Sequence, residues 1–414
     1  MSGAGARTFG VAAVLAAFLA MTQPVAPAQS ATASAEKEAP KSVEAAGYVF
    51  VSGLGARRTD GSLPETFHDQ VRQALENVRS VLQTSGLTKD HVVYVQVYLE
   101  DVKQIHELDE VFADYFPKDP PARAVLGVAK VPNPPIQMNA VAVRDLEGRR
   151  AVNIPGVQPG KGFSAGMLTH DQLFVSAMDG RDPSSGAVPK DPALQVNQAL
   201  DGVKSVVQAA GLTMAHMVFV NPYMTTEISY RAMNEEYAKR FEFGNTPGRA
   251  TIEVSSLPDG AHIAYTGIAV RDLSRRQAVR PKNMPPSPTA SPCVFAGDLL
   301  YCSAKSGFIP GPNGGVYFSS TGDQTRQTMR NLLDNLEEAG MTFDQVVSTT
   351  IYLDNLSDTG SFESVYTRYF PKGLPAQTIV QQLAPGDRKA DEEGHYPTLE
   401  QVSLVAARGK AQLK

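Results

Sequence analysis

The sequence predicts an α+β fold written three times in one chain. Three observations carry that prediction: an ordered set of motifs recurs, its spacing is nearly constant, and within each copy the hydrophobic period alternates between helix and strand. A helix reads QVRQAL from Gln70, QVNQAL from Gln195 and QTRQTM from Gln324. Each closes on a glycine, at Gly86, Gly211 and Gly340, 125 and 129 residues apart. An apolar strand follows (VVYVQVYL from Val92, MVFVNPYM from Met217, VVSTTIYL from Val346), then a second amphipathic helix ending on Tyr115-Phe116, Arg240-Phe241 or Tyr369-Phe370. A short turn completes the set: Pro121-Ala122-Arg123, Pro247-Gly248-Arg249 and Pro375-Ala376-Gln377.

Within the first copy, Val71, Leu75, Val78 and Leu82 fall at i, i+4, i+7 and i+11, one face of a helix. Gly86 stands where a helix ends in the left-handed region that glycine adopts cheaply. Each copy reads strand, strand, helix, strand, helix, strand, strand. Hairpins mixed with helices imply a mixed sheet with two helices on one face. The copies span 44–148, 155–275 and 286–410, the last divergent, with loop-like linkers over Arg149–Lys161 and Asp272–Pro288. Residues 310–315 and 387–396 are insertions of turn-formers and charge, expected to cap a cleft or to sit on the surface.

The chain has 414 residues, is 42% hydrophobic and carries a formal charge of −5, which excludes a disordered polymer and a nucleic-acid binder working through bulk basicity. Residues 1–28 read as a secretory signal: Arg7 precedes an apolar run from Phe9 to Met21, and Ala26 and Ala28 form an A-x-A site. That run is short of the roughly 20 residues a membrane anchor needs. Residues 29–43 read as a flexible lead-in, so the expected location is secreted or periplasmic, with no membrane association after cleavage.

The VFVSG strand (Val49 to Gly53), the QALENV helix, VVYVQVYL, the YFP…PPAR turn and the closing AVAV strand together resemble the Rid family. This is the YjgF/YER057c/UK114 group of enamine and imine deaminases, formerly labelled L-PSP endoribonucleases. The resemblance implies a chorismate-mutase-like fold that forms homotrimers with ligand clefts between subunits. Three copies in one chain then imply an intramolecular pseudo-trimer, a monomer with internal threefold symmetry. It also implies hydrolysis of small 2-imino or enamine acids to 2-keto acids and ammonia, with no cofactor, metal or nucleic acid. The alternative is a non-catalytic carboxylate-binding or scaffold protein made of degenerate repeats.

The resemblance nominates site residues. The turn arginine that holds the substrate carboxylate matches Arg123 and Arg249, with Gln377 in the third copy; a guanidinium suits the task because its fork donates two parallel hydrogen bonds. The family's water-activating Glu falls on Gln137, Ala264 and Glu400, so that no copy keeps both Arg and Glu. A cleft Asn is kept at Asn234, with Asp109 and Glu363 in its place elsewhere, and the family's aromatic is kept at Phe163. Ser52 and Gly53 are expected beside the ligand. On these grounds the second copy holds the most complete site.

Gly162-Phe163-Ser164-Ala165-Gly166 fits G-x-S-x-G, but a loop precedes it and a hairpin follows, the wrong setting for a nucleophile elbow. Seven histidines show no ligand spacing, and His91 and His216 share one repeat position. Cys293 and Cys302 flank a hairpin turning at Gly297-Asp298, which sets them opposite each other as a disulfide or as two buried thiols.

Overall fold

Side-chain caps start the long helices and left-handed glycines end them, in a computed structural model that describes residues 38–158, 160–311, 315–409 and 411–414. The expected signal and residues 29–37 of the expected lead-in lie outside these residues; the last two lead-in positions, Ser42 and Val43, are not flexible but start the first strand, which pairs on both edges. The first unit runs β1 (Ser42–Ala45), β2 (Tyr48–Gly55), α1 (Phe67–Thr84), β3 (Val92–Leu99), α2 (Ile105–Tyr115), β4 (Ala122–Gly127) and β5 (Ile136–Val143). The Thr66 hydroxyl accepts from the Asp69 amide to start α1. Gly86, at φ +72°, ends it: its amide donates to Gln83 and that of Leu87 to Leu82, a Schellman closure. Gly211 and Gly340 repeat this with φ of +81° and +70°.

The second unit comprises β6 (Arg150–Val152), β7 (Gly166–Leu168), β8 (Gln172–Asp179), α3 (Pro192–Ala209), β9 (Met217–Met224), α4 (Tyr230–Tyr237), β10 (Gly248–Arg249), β11 (Ile252–Glu253) and β12 (Ile263–Val270). The third comprises β13 (Arg276–Val279), β14 (Cys293–Ala296), β15 (Leu299–Lys305), α5 (Thr321–Glu338), β16 (Val346–Leu353), α6 (Thr359–Tyr366), β17 (Ala376–Gln381) and β18 (Glu400–Ala407), and β19 (Gln412–Leu413) ends the chain. Each sheet pairs its hairpin antiparallel to the last strand of the unit, which pairs in turn with the strand after the first helix. The turn-Arg strand then adds parallel at the edge.

Both stretches expected as linkers contain a strand. β6, from the tail of the first unit, pairs with β7 in the second sheet, and β13, from the tail of the second, pairs with β14 in the third. β19 closes the ring by pairing with β1 in the first sheet. Each unit therefore lends its tail to the next. Composition hid these strands because an edge strand of two to four residues needs one partner and little apolar content.

Helices cover one face of each sheet, over cores that include Val71, Leu75 and Leu82; Val196, Leu200 and Val203; Met329, Leu332 and Leu336. The opposite faces turn toward one another. Phe50, Val93, Phe174, Val218, Val294 and Val347 from all three units share one buried cluster, and Tyr98, Tyr223 and Tyr352 meet in another. Three β-faces that would each be exposed apolar surface thus bury one another, the pseudo-trimer. Cys293 and Cys302 lie opposite each other on β14 and β15 and are joined as a disulfide. Among the described residues no helix is long and apolar enough to cross a membrane.

Candidate functional site

The seams between units are stitched by one serine repeated three times. Ser176 Oγ accepts from the Arg123 amide (2.8 Å) and donates to Ser164 O (2.6 Å). Ser303 Oγ does the same between Arg249 N (2.8 Å) and Ser291 O (2.6 Å), and Ser52 Oγ between Gln377 N (2.9 Å) and Pro40 O (2.6 Å). Each turn residue is thereby held at the start of its edge strand against the neighbouring unit. Three clefts result, at the first–second, second–third and third–first seams. Ser52, expected at the ligand, spends its hydroxyl on this backbone link instead.

At the first–second seam the Arg123 side chain is 3% exposed and forms an ion pair with Asp109. Its guanidinium lies between the rings of Phe112 and Phe163, 4.6 and 4.8 Å from their centroids. Phe163 therefore serves Arg123 across the seam and not Arg249 of its own unit, which redistributes the set expected in the second copy. Here both the charge and the space of the cleft are filled by the protein.

At the second–third seam Arg249 has other company. Its Nη1 donates to Asn234 Oδ1 (2.7 Å), and one face of the guanidinium lies 5.1 Å from the Tyr237 ring. Among the described residues Arg249 forms no ion pair. Burial holds its pKa below the usual arginine value. It lines an open cleft of about 590 Å³ with Tyr230, Thr251, Ala290, Tyr317 and Gln401. Among the described residues, Arg249 and Lys305 are the cations of that lining, and no Asp or Glu belongs to it. Tyr317 lines the cleft, and its hydroxyl is 3.1 Å from Ser306 Oγ.

At the third–first seam Gln377 replaces the arginine, and its buried Nε2 finds no partner. A Cβ at Gly53 would lie 2.6 Å from Gln137 Nε2 and 3.2 Å from Thr378 Cγ2, so protein side chains occupy the space beside Gly53.

Glu400 belongs to none of the clefts. Strand register aligns Glu400 with Ile136 and Ile263, since these face Leu353, Leu99 and Met224 respectively. Gln401 is the counterpart of Gln137 and Ala264. A shift of one residue reverses the face of a strand, and Glu400 points to the helix side, 2% exposed, where Thr328 donates to it. Desolvation pushes its pKa up to about 8. Matching the strands by the arginine that follows each (Arg144, Arg271, Arg408) would have found this register in the sequence. Tyr230 and Tyr317 carry no repeat signal and became visible only in the folded chain. His91 and His216 are structural: each Nδ1 accepts from a threonine amide, Thr88 and Thr213, in a capping box.

A family model described as Endoribonuclease L-PSP matches residues 29–144, 155–271 and 283–386. A RutC family protein of Aquifex aeolicus is 38% identical over 109 residues, 25% of this chain and 86% of its own length. The 2-iminobutanoate/2-iminopropanoate deaminase of Rattus norvegicus is 34% identical over 110 residues, 26% of this chain and 80% of its own. Among solved structures, the YjgF gene product of E. coli is 27% identical, covers 30% of this chain and 99% of its own, with a TM-score of 0.27. A chorismatase is 14% identical over 77% of this chain and 94% of its own, with a TM-score of 0.49. With three family matches spread along the chain and one sheet unit under each, the protein belongs to the Endoribonuclease L-PSP family, that of the RutC and Rid proteins, and carries three tandem copies of its domain.

Proposed function

We propose that the protein hydrolyses a 2-imino or enamine acid to the 2-keto acid and ammonia in the cleft between its second and third units. One observation carries this: Arg249 faces an open cleft with a neutral partner, Asn234, and no carboxylate in the lining. An uncancelled, half-desolvated guanidinium attracts an anion, and a carboxylate matches its fork. The deaminase relative from rat supports the same chemistry.

With the carboxylate on Arg249, the C=N carbon of the substrate lies over the cleft floor formed by Thr251 and Gln401. The Gln401 amide, part of the lining, holds the attacking water there by hydrogen bonds. Water adds to the C=N carbon and one of its protons passes to nitrogen, giving a carbinolamine; the C–N bond then breaks as the hydroxyl proton moves to the departing nitrogen, which releases ammonia and leaves C=O. A glutamine orients water but does not take its proton, so the imine nitrogen serves as the proton acceptor and the turnover is modest. Export through residues 1–28 is part of the proposal, and a fusion of residues 1–43 to a reporter that works only outside the cytoplasm tests it.

The absence of a carboxylate base favours a second reading, a binder of small carboxylates without turnover. An amino-acid oxidase that generates imine in the presence of the protein separates the two. Faster keto-acid release than in buffer, strongly reduced in Arg249→Ala, is expected; equal rates in protein and buffer sink the deaminase assignment. Carboxylate binding that persists without turnover establishes the second.

A further inference from the structure

We infer that the ligand of the second–third cleft carries an aromatic side chain beside its carboxylate; this rests on the assignment of Arg249 as the carboxylate anchor. The first–second cleft supplies the template. There the Asp109 carboxylate meets the charge of Arg123 and the rings of Phe112 and Phe163 both lie against its guanidinium, at 4.6 and 4.8 Å, although its buried Nη1 has no hydrogen-bond partner among the described residues. The second–third cleft keeps half of that arrangement. Tyr237 covers one face of Arg249, as Phe112 covers Arg123.

The other half is missing there. Ser164 and Ser291 are equivalent, since each carbonyl accepts from the seam serine, Ser176 or Ser303. The residue before each is therefore equivalent too: Phe163 in one cleft, Ala290 in the other. Ala290 lines the cavity. A ring has been removed from the open face of Arg249, and the carboxylate of Asp109 has become the amide of Asn234. An external molecule with a carboxylate and a ring would restore both lost contacts at once, the ring gaining a cation–π contact as it displaces water.

The mouth of the cleft agrees with this. Tyr230, 42% exposed, and Tyr317 both line it, aromatic surface that a short aliphatic acid does not need. The cavity of about 590 Å³ also exceeds what a small imino acid fills.

The test measures affinities of the mature chain for phenylpyruvate and pyruvate, stable keto-acid probes, by calorimetry or ligand-detected NMR. Wild type is expected to bind phenylpyruvate at least about tenfold more tightly. Ala290→Phe, which rebuilds the missing ring, should bring the ratio to about one, and Tyr230→Ala should lower it severalfold without filling the cavity. A wild-type ratio near one, or a ratio unchanged in both variants, overturns the inference while leaving Arg249 as anchor. If Arg249→Ala binds both probes as wild type does, the anchor assignment fails and this inference fails with it.

Discussion

Arg249 donates to the amide oxygen of Asn234 at 2.7 Å. At the equivalent place Arg123 is held by the carboxylate of Asp109. Replacing one oxygen by an NH₂ group decides which cleft keeps a net positive charge.

Arg249→Ala is accordingly expected to lower kcat/KM for imine hydrolysis by about 10- to 100-fold, the worth of a charge-assisted hydrogen bond. Arg123→Ala should change kcat/KM by less than about twofold at temperatures where the variant is folded. Steady-state rates on both variants check this, and equal losses would place chemistry in both clefts.

Asp109→Asn leaves the Arg123 charge buried between two rings with its counter-ion gone. The expected cost is about 3 kcal/mol of stability. Asn234→Ala, beside the more open Arg249, should cost about 1 kcal/mol. Urea unfolding of the two variants compares them.

Glu400 gives the stability a pH dependence of definite sign. Its folded pKa of about 8 lies above the ordinary carboxyl value of 4.5, so the folded chain keeps a proton that the unfolded chain releases. The contribution is full below about pH 4.5 and is lost as pH rises through about 8. Glu400→Gln, neutral at every pH, should match wild type near pH 4 and exceed it by roughly 4–5 kcal/mol at pH 8.5. Thermal melts across that range check the crossover, and parallel profiles would show Glu400 to be charged in the fold. Such a change moves stability without touching the Arg249 cleft.

The C-terminal strand closes the ring of tails. Ser42 and Lys414 exchange two backbone hydrogen bonds, 3.1 and 3.0 Å, and Lys414 Nζ reaches Glu44 at 3.2 Å. Truncation after Arg408 is expected to cost about 1–2 kcal/mol, since this edge is largely exposed. Faster hydrogen exchange at the Ser42 amide is the local signature.

The primary sequence by itself determined the threefold repetition, the α+β class, the helix-closing glycines, the cysteine register and the turn arginines. All of these rest on local periods and on residue types with specific backbone preferences, and such information survives without a partner. The tertiary structure decided the rest. Clefts formed between units mix residues far apart in the chain, so Phe163 went to Arg123, Ser303 to Arg249 and Ser52 to Gln377. The short tail strands draw their pairing from the next sheet, which no local pattern encodes. Glu400 misled because a strand shows its side chains to two faces in turn, and only cross-strand register tells which face a residue takes.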